Sequence, residues 1–140
     1  MADVPFDLQR FVDAQAQTYD QALAELRDGE KRTHWMWFVF PQLAGLGHSG
    51  MAQRFAIAGL EEARAYAGHP TLGRRLVESA RVLTDLDTAD AVQVFGSVDA
   101  QKLQSSMTLF ALAVPDEPVF RQVLDHYFSG AEDDATTSRL

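Results

Sequence analysis

The chain of 140 residues contains no cysteine, which excludes disulfides, thiolate metal sites and cysteine nucleophiles. No apolar run approaches the length of about 18 residues that a membrane span requires. Residues 1–5 are acidic and lack the basic and apolar regions of a signal peptide. These absences predict a cytoplasmic protein that has no membrane partner.

Positive charge is scarce, with 12 Lys and Arg against 20 Asp and Glu and a net charge of −8. Proteins that bind nucleic acid usually carry a basic face, because phosphate neutralisation supplies most of the affinity. The cations here are scattered, and their tightest clusters are the pairs Lys31-Arg32 and Arg74-Arg75. We therefore expect no nucleic-acid partner. The charge distribution is still compatible with a local pocket for one phosphate. Lys31 and Lys102 are the only two lysines.

Metal ligands at useful spacing are also missing. The four histidines, His34, His48, His69 and His126, include no pair at i, i+4, and no HExxH pattern occurs. The glycines of residues 45–50 fit neither GxGxxG nor GxxxxGK[ST], so a flexible connector is favoured over an anion loop. No metal and no cofactor are expected.

Apolar residues recur at steps of three and four along most of the chain, which predicts amphipathic helices. A break near Thr18 divides the first helical stretch, and Gly29 ends it. Residues 33–40 favour a short helix or an irregular turn, but this run and residues 91–95 are also compatible with strands. The predicted N-caps are Asp7, Thr33, Ser49, Asp87, Ser97 and Asp116.

Together, these helical segments predict an all-α fold, a compact single domain of six to eight short helices over residues 1–130. Residues 131–140 are acidic and polar, and we expect them to form a loose or loosely docked tail.

Residues 34–42 form the first segment that could carry chemistry, and they contain both tryptophans of the chain. Trp35 and Trp37 diverge by about 200° on a helix, so one is expected to pack inward and the other to line a cleft. His34 is a candidate acid, base or hydrogen-bond donor, because its free pKa is close to neutral. Gln42 ends the segment and joins the ligand-binding candidates. The alternative is that these side chains are ordinary core and boundary residues.

The second segment covers residues 95–110. Ser97 would begin a helix whose free N–H groups can hold an anion, and Asp99 and Lys102 are three apart and can meet on one face. Lys102, Ser105 and Ser106 form a polar row at steps of three and four, and Thr108 is three residues beyond Ser105. The row could line a pocket, or it could be a surface stripe with hydroxyls bonded to i−4 carbonyls. A Ser–Lys nucleophile pair is disfavoured, because a serine inside a helix is poorly exposed for attack.

Three hypotheses remain open. The first is a small-ligand protein with a pocket between the two segments, where Lys102 and the N–H groups near Ser97 hold an anion and a tryptophan stacks on a ring. If the protein is an enzyme, hydrolysis of a glycosidic or phosphoribosyl bond fits, with His34 and Asp99 as catalytic residues. The second is a protein-interaction or scaffold module, and the third is that both segments are simply core. The sequence leaves the oligomeric state open.

The ligand-binding candidates are Trp35, Trp37, Gln42, Ser97, Lys102, Ser105, Ser106 and Thr108.

Taken together, the motifs resemble a small bacterial family known as domain of unknown function 1810. The matching residues are Arg10-Phe11 with Ala14-Gln15, residues 34–42, Glu62-Ala63 with Tyr66, Leu72-Gly73 followed by Arg75-Leu76, and Phe95-Gly96 with Asp99, Lys102-Leu103 and residues 105–110. The resemblance covers almost the whole chain and implies a compact, mostly helical single domain without an established activity. Some members carry the label calpastatin, but that inhibitor resembles a long disordered repeat chain, and no repeat occurs here.

A fainter resemblance links residues 10–15 and 96–103 to the NADAR family, which is associated with ADP-ribose chemistry. The histidine–glutamate pair that precedes the corresponding helix in that family is absent here. The remaining similarity implies an ADP-ribose-like ligand as one member of the small-anion class that we expect.

Overall fold

A computed structural model of the chain describes residues 6–140. Within this range the fold is all-α, with no β-strand, as the periodicity predicts. Six of its helices have seven residues or more. The helices of the described range are α1 (Gln9–Gln15), α2 (Tyr19–Arg27), α3 (Met36–Val39), α4 (Gly50–Arg54), α5 (Leu60–Gly68), α6 (Leu72–Asp85), α7 (Ala91–Ala113), α8 (Val119–Phe128) and α9 (Asp134–Thr137).

Several predicted helix ends are confirmed. The first stretch divides at Thr18, and Gly29 follows α2 with a φ of 71°, the left-handed backbone that glycine adopts easily. Ser49 caps α4 by accepting a hydrogen bond from the Ala52 N–H at 3.1 Å.

Other predicted caps are wrong. Asp87 is not a cap, because the preceding loop continues to Asp90, whose side chain accepts from the N–H groups of Val92 and Gln93. For three more helices the N-cap residue differs from the predicted one, and its side chain makes no capping hydrogen bond. The N-cap of α1 is Leu8 and not Asp7, that of α3 is Trp35 and not Thr33, and that of α8 is Pro118 and not Asp116. Spacing therefore locates helices better than it locates their first residues.

Helix α7 is interrupted at Gly96, where φ is 80° and ψ is 165°. The break predicted between Phe95 and Ser97 is thus present, and residues 91–95 form a helix rather than a strand. The backbone conformation at Gly96 is open essentially to glycine alone. The interruption lets the chain continue as a second helical segment that carries Asp99 and Lys102.

The long second half of α7 lies at the centre of the molecule and packs against α5, α8 and α9, while α6 packs against α2, α5 and α8. The turn from α5 to α6 needs a glycine, because a Cβ on Gly73 would stand 2.0 Å from the carbonyl oxygen of Ala67.

Aromatic rings form the middle of the core. Phe11 contacts Phe55 and Tyr66, and the contacts continue from Tyr66 to Phe110 and from Phe110 to Phe120, with ring centroids 5.0–5.7 Å apart. These rings are buried. Each ring of this size buries a large apolar area and so contributes strongly to the stability of a small domain.

Short helix α3 is held by a buried polar contact. The carbonyl oxygen of Phe38 accepts hydrogen bonds from Gln15 Nε2 at 2.7 Å and from the Tyr66 hydroxyl at 3.1 Å. Burial raises the pKa of Tyr66, so the phenol stays a donor. This contact fixes the backbone directly after Trp37.

The C-terminal segment contains α9 and is docked on α7. Asp133 and Thr136 are buried, and the Asp133 carboxylate accepts from Gln101 Nε2 at 2.8 Å, Ser105 Oγ at 2.9 Å and Thr136 Oγ1 at 2.6 Å. A buried carboxylate surrounded by donors accounts for the docking of so polar a sequence. No helix among residues 6–140 is long and apolar enough to cross a membrane.

Candidate functional site

The two tryptophans diverge, as their spacing predicts. Trp35 is fully buried as the N-cap of α3, with φ −139° and ψ 3°, whereas Trp37 inside α3 is partly buried. The Trp35 ring lies 6.3 Å from the Phe40 ring and 6.5 Å from the Phe95 ring, centroid to centroid. Trp35 is therefore a core residue, and Trp37 is the more exposed of the two tryptophans.

Glu25 is a fully buried carboxylate beneath this segment. Its Oε1 accepts hydrogen bonds from the backbone N–H groups of Arg32 (2.6 Å) and Thr33 (2.9 Å) and from the Trp35 indole N–H (3.0 Å). Its Oε2 accepts from Thr33 Oγ1 (2.6 Å) and Gln21 Nε2 (3.0 Å). Burial raises the pKa of Glu25, but the hydrogen bonds from Thr33, Arg32 and Gln21 outweigh it and lower the pKa from 4.5 to about 2.

Both lysines of the chain meet at one carboxylate. Lys31 Nζ lies 2.9 Å from Asp99 Oδ2, and Lys102 Nζ lies 3.7 Å from Asp99 Oδ1. Each ammonium also lies over the ring of a tryptophan at 5.2 Å from the centroid, Lys31 over Trp35 and Lys102 over Trp37. We call Lys31, Asp99, Lys102, Trp37 and His34 the lysine–tryptophan site.

The two lysines differ in side-chain exposure and in the number and length of their polar contacts. The Lys31 side chain is 7% exposed and donates a further hydrogen bond to the Thr33 carbonyl at 2.6 Å. The Lys102 side chain is 21% exposed, and its ion pair is longer. Lys31 therefore anchors the loop, and Lys102 is the ammonium that faces solvent.

His34 stands at the outer edge of the site. It is exposed, and its ring lies 6.4 Å from the Trp37 ring at an angle of 37°. The Trp37 indole nitrogen is buried and has no hydrogen-bond partner, and the same holds for the hydroxyl of Ser106. Ser106 is one turn beyond Lys102 on the same face of α7.

The polar row of α7 divides between two faces of the helix. Lys102 and Ser106 share the face of Asp99, whereas Ser105 and Thr108 face the C-terminal segment. Ser105 donates to Asp133, and Thr108 Oγ1 accepts from the Asp133 N–H at 2.9 Å while donating to the Gln104 carbonyl. The structure thus places Ser105 and Thr108 in the contact that docks α9, apart from the lysines.

Two other predicted ligand-binding residues have different surroundings. Ser97 is exposed beside the Gly96 break. Gln42 uses its backbone carbonyl to accept from the Ile57 N–H at 2.9 Å, next to an isolated parallel β-bridge between Leu43 and Ile57. Its side-chain oxygen lies beside Gly47 in the following loop.

The larger surface cavities lie away from the lysine–tryptophan site. One of about 400 Å³ is formed by the start of α5 with Phe6 and Arg139, and one of about 590 Å³ runs along the outer side of α6. Two more, of about 490 and 290 Å³, adjoin the C-terminal end of α5. Ligand binding at the lysine–tryptophan site would therefore take place on a shallow surface beside Trp37. Among residues 6–140 no group of three acidic or histidine side chains is arranged to hold a metal ion.

Sequence reasoning missed Glu25 and did not include Lys31 among the site residues. A signal for Glu25 was present, since it stands between Ala22, Leu23 and Leu26 on the apolar face of α2. A charged residue at such a position is buried only with strong partners. Apart from Gln21 on the same helix, the partners lie in residues 32–35, an irregular segment in which apolar spacing does not predict where side chains point.

The fold and the site define a small all-helical domain in which an ion-paired lysine–tryptophan cluster joins a loop to the central helix. The family described as "Protein of unknown function (DUF1810)" matches residues 5–140, and the chain belongs to that family.

A solved relative shows the same fold. It is the conserved hypothetical protein Rv1873 from Mycobacterium tuberculosis, whose crystal structure was determined at 1.38 Å. It is 49% identical to this chain, with a TM-score of 0.96 and 98% of each chain covered. The search of curated proteins gave no match.

Proposed function

We propose that this protein binds a small anionic ligand carrying a ring, of the nucleotide or sugar-phosphate class, at the lysine–tryptophan site. The observation that carries the proposal is the placement of the chain's only two lysines at Asp99, each over one of its only two tryptophans.

Charge supports an anion as the ligand. Two ammonium groups lie at the single carboxylate of Asp99, and the ammonium of Lys102 is the more exposed of the two. The whole chain carries −8, so its overall field repels extended polyanions while the cluster attracts one small anion. Lys102 supplies the ammonium for the anion, because it is more exposed than Lys31 and less tightly paired.

The aromatic side chains of the site support a ring as the other part of the ligand. Trp37 is partly exposed and His34 lies beside it, so a planar ring can stack there with its anionic group near Lys102. The proposal is binding rather than hydrolysis. Both oxygens of Asp99, one of the two predicted catalytic residues, are engaged by lysines.

A thermal-shift panel tests the proposal, with ADP-ribose, NAD, mononucleotides, sugar phosphates and inorganic phosphate. A ligand at 100 times its Kd adds about 2.7 kcal/mol and should raise the Tm by about 5–10 °C. The shift should disappear in Lys102→Ala and persist in Arg74→Ala, which removes an equal charge from the exposed side of α6. No shift with any compound, or an equal shift in Lys102→Ala, would contradict the proposal.

The alternative function, a protein-interaction module, is favoured by Val92 and Val98 on either side of the Gly96 break. They expose 53% and 68% of their surface. Single exposed apolar residues are common on monomeric proteins, so this observation has less weight. Sedimentation velocity distinguishes the two, because the module predicts association that Val98→Asp abolishes and the ligand site predicts no effect of that change.

A further inference from the structure

We propose that Glu25 is the positioning residue of the lysine–tryptophan site, an inference that rests on the proposed function. Glu25 is fully buried on α2, so no ligand reaches it. It would act through the loop of residues 31–35, whose groups it holds.

The hydrogen bonds of Glu25 determine the path of this loop. Its carboxylate holds the backbone of Arg32 and Thr33, the hydroxyl of Thr33 and the indole of Trp35. Lys31 precedes these anchored residues, and His34 stands between Thr33 and Trp35. Both functional side chains therefore leave a backbone that Glu25 fixes.

The other end of the loop is fixed to α7. The Lys31 N–H donates to the Val94 carbonyl at 2.8 Å, and its ammonium pairs with Asp99, which in turn pairs with Lys102. A continuous series of polar contacts thus runs from Glu25 to the solvent-facing ammonium. Removing the carboxylate would leave three backbone or indole N–H donors without their acceptor, and the loop would have to move to find water.

The test begins without any ligand, because the chain has only two lysines. Protein labelled with ¹³C at lysine Cε should give two NMR signals that report Lys31 and Lys102 directly. In Glu25→Ala we expect the Lys31 signal to move toward that of a solvated lysine. Glu25→Gln should restore it, because the amide oxygen still accepts from the three N–H groups and the amide nitrogen can donate to Thr33.

Glu62→Ala is the matched control. Glu62 is also buried, but it pairs with Arg10 at 3.2 Å and accepts from the Ala58 N–H at 2.7 Å, in a separate network. Its loss should lower stability and leave both lysine signals in place. Lysine signals unchanged in Glu25→Ala, or moved equally in Glu62→Ala, would overturn the positioning role.

Ligand binding supplies the second readout, with ADP-ribose as the probe. We expect Glu25→Ala to weaken binding by roughly 10-fold or more, as happens when outer partners of metal ligands are removed, while Glu25→Gln and Glu62→Ala retain it. Equal affinity in Glu25→Ala and the wild type would overturn the inference. If the wild type binds no probe, the proposed function fails, and the ligand-free lysine signals alone decide the role of Glu25.

Where Glu25→Ala does not fold, Thr33→Val provides the milder variant. It removes the 2.6 Å bond to Oε2 and keeps the backbone contacts. A partial shift of the Lys31 signal would support the positioning role, and an unchanged signal would contradict it.

Discussion

At the scale of single residues, Glu25 couples stability to pH. Its pKa is about 2 in the folded protein, against 4.5 for an unpaired glutamate. A carboxylate with a lowered folded pKa stabilises the protein above its unfolded pKa, and this contribution is lost as pH falls from 4.5 toward 2. The full difference corresponds to about 3 kcal/mol.

We therefore expect the free energy of unfolding of Glu25→Gln to fall less steeply at acid pH than that of the wild type. Urea unfolding near pH 7 and near pH 3 should show a smaller loss in Glu25→Gln than in the wild type, because the amide has no charge to titrate. Parallel profiles for the two proteins would show that Glu25 is not the group responsible.

The two lysines should separate in their effect on stability. Lys31→Ala removes a buried ion pair and the bond to the Thr33 carbonyl, so we expect a loss of about 1–3 kcal/mol. Lys102→Ala removes a long, partly exposed pair, and the loss should stay within about 1 kcal/mol. Denaturant midpoints measure both variants, and equal losses would contradict the division between anchor and ligand-facing lysine.

At the scale of elements, the break in α7 depends on Gly96. Alanine at φ 80° and ψ 165° should cost about 1–3 kcal/mol. Because nothing lies within 4 Å of the position that its Cβ would occupy, the loss would come from the backbone and not from a clash. Gly68→Ala, within helix α5 and also in open space, is the control and should stabilise by up to about 1 kcal/mol. Thermal unfolding compares the two, and a neutral Gly96→Ala would contradict this account.

Helix periodicity predicts most elements of this fold, because helices bury one face and the spacing of apolar residues records that face. It also separates Trp35 from Trp37 and places Asp99 beside Lys102. It does not predict that Ser105 and Thr108 face α9, since their hydroxyls are satisfied by Asp133, a partner distant in sequence. Glu25 was missed because four of its five donor groups belong to Arg32, Thr33 and Trp35, which precede α3 in an irregular segment.

At the scale of the whole molecule, the C-terminal segment completes the surface of α7. Asp133→Ala removes a helix cap and leaves the donors of Gln101, Ser105 and Thr136 without their acceptor. We expect a loss of about 2 kcal/mol or more. The neighbouring exposed Asp134→Ala is the control and should have little effect. Urea midpoints provide the comparison, and equal values for the two variants would show that the segment is not part of the stable fold.

The measurement that tests the central claim most directly is an NMR titration of the two ¹³C-labelled lysines with ADP-ribose and with inorganic phosphate. A small anion bound at the lysine–tryptophan site should move the Lys102 signal strongly and saturably, with a smaller change at Lys31. Saturable binding that leaves both signals unmoved would place the ligand elsewhere on the protein and contradict the site.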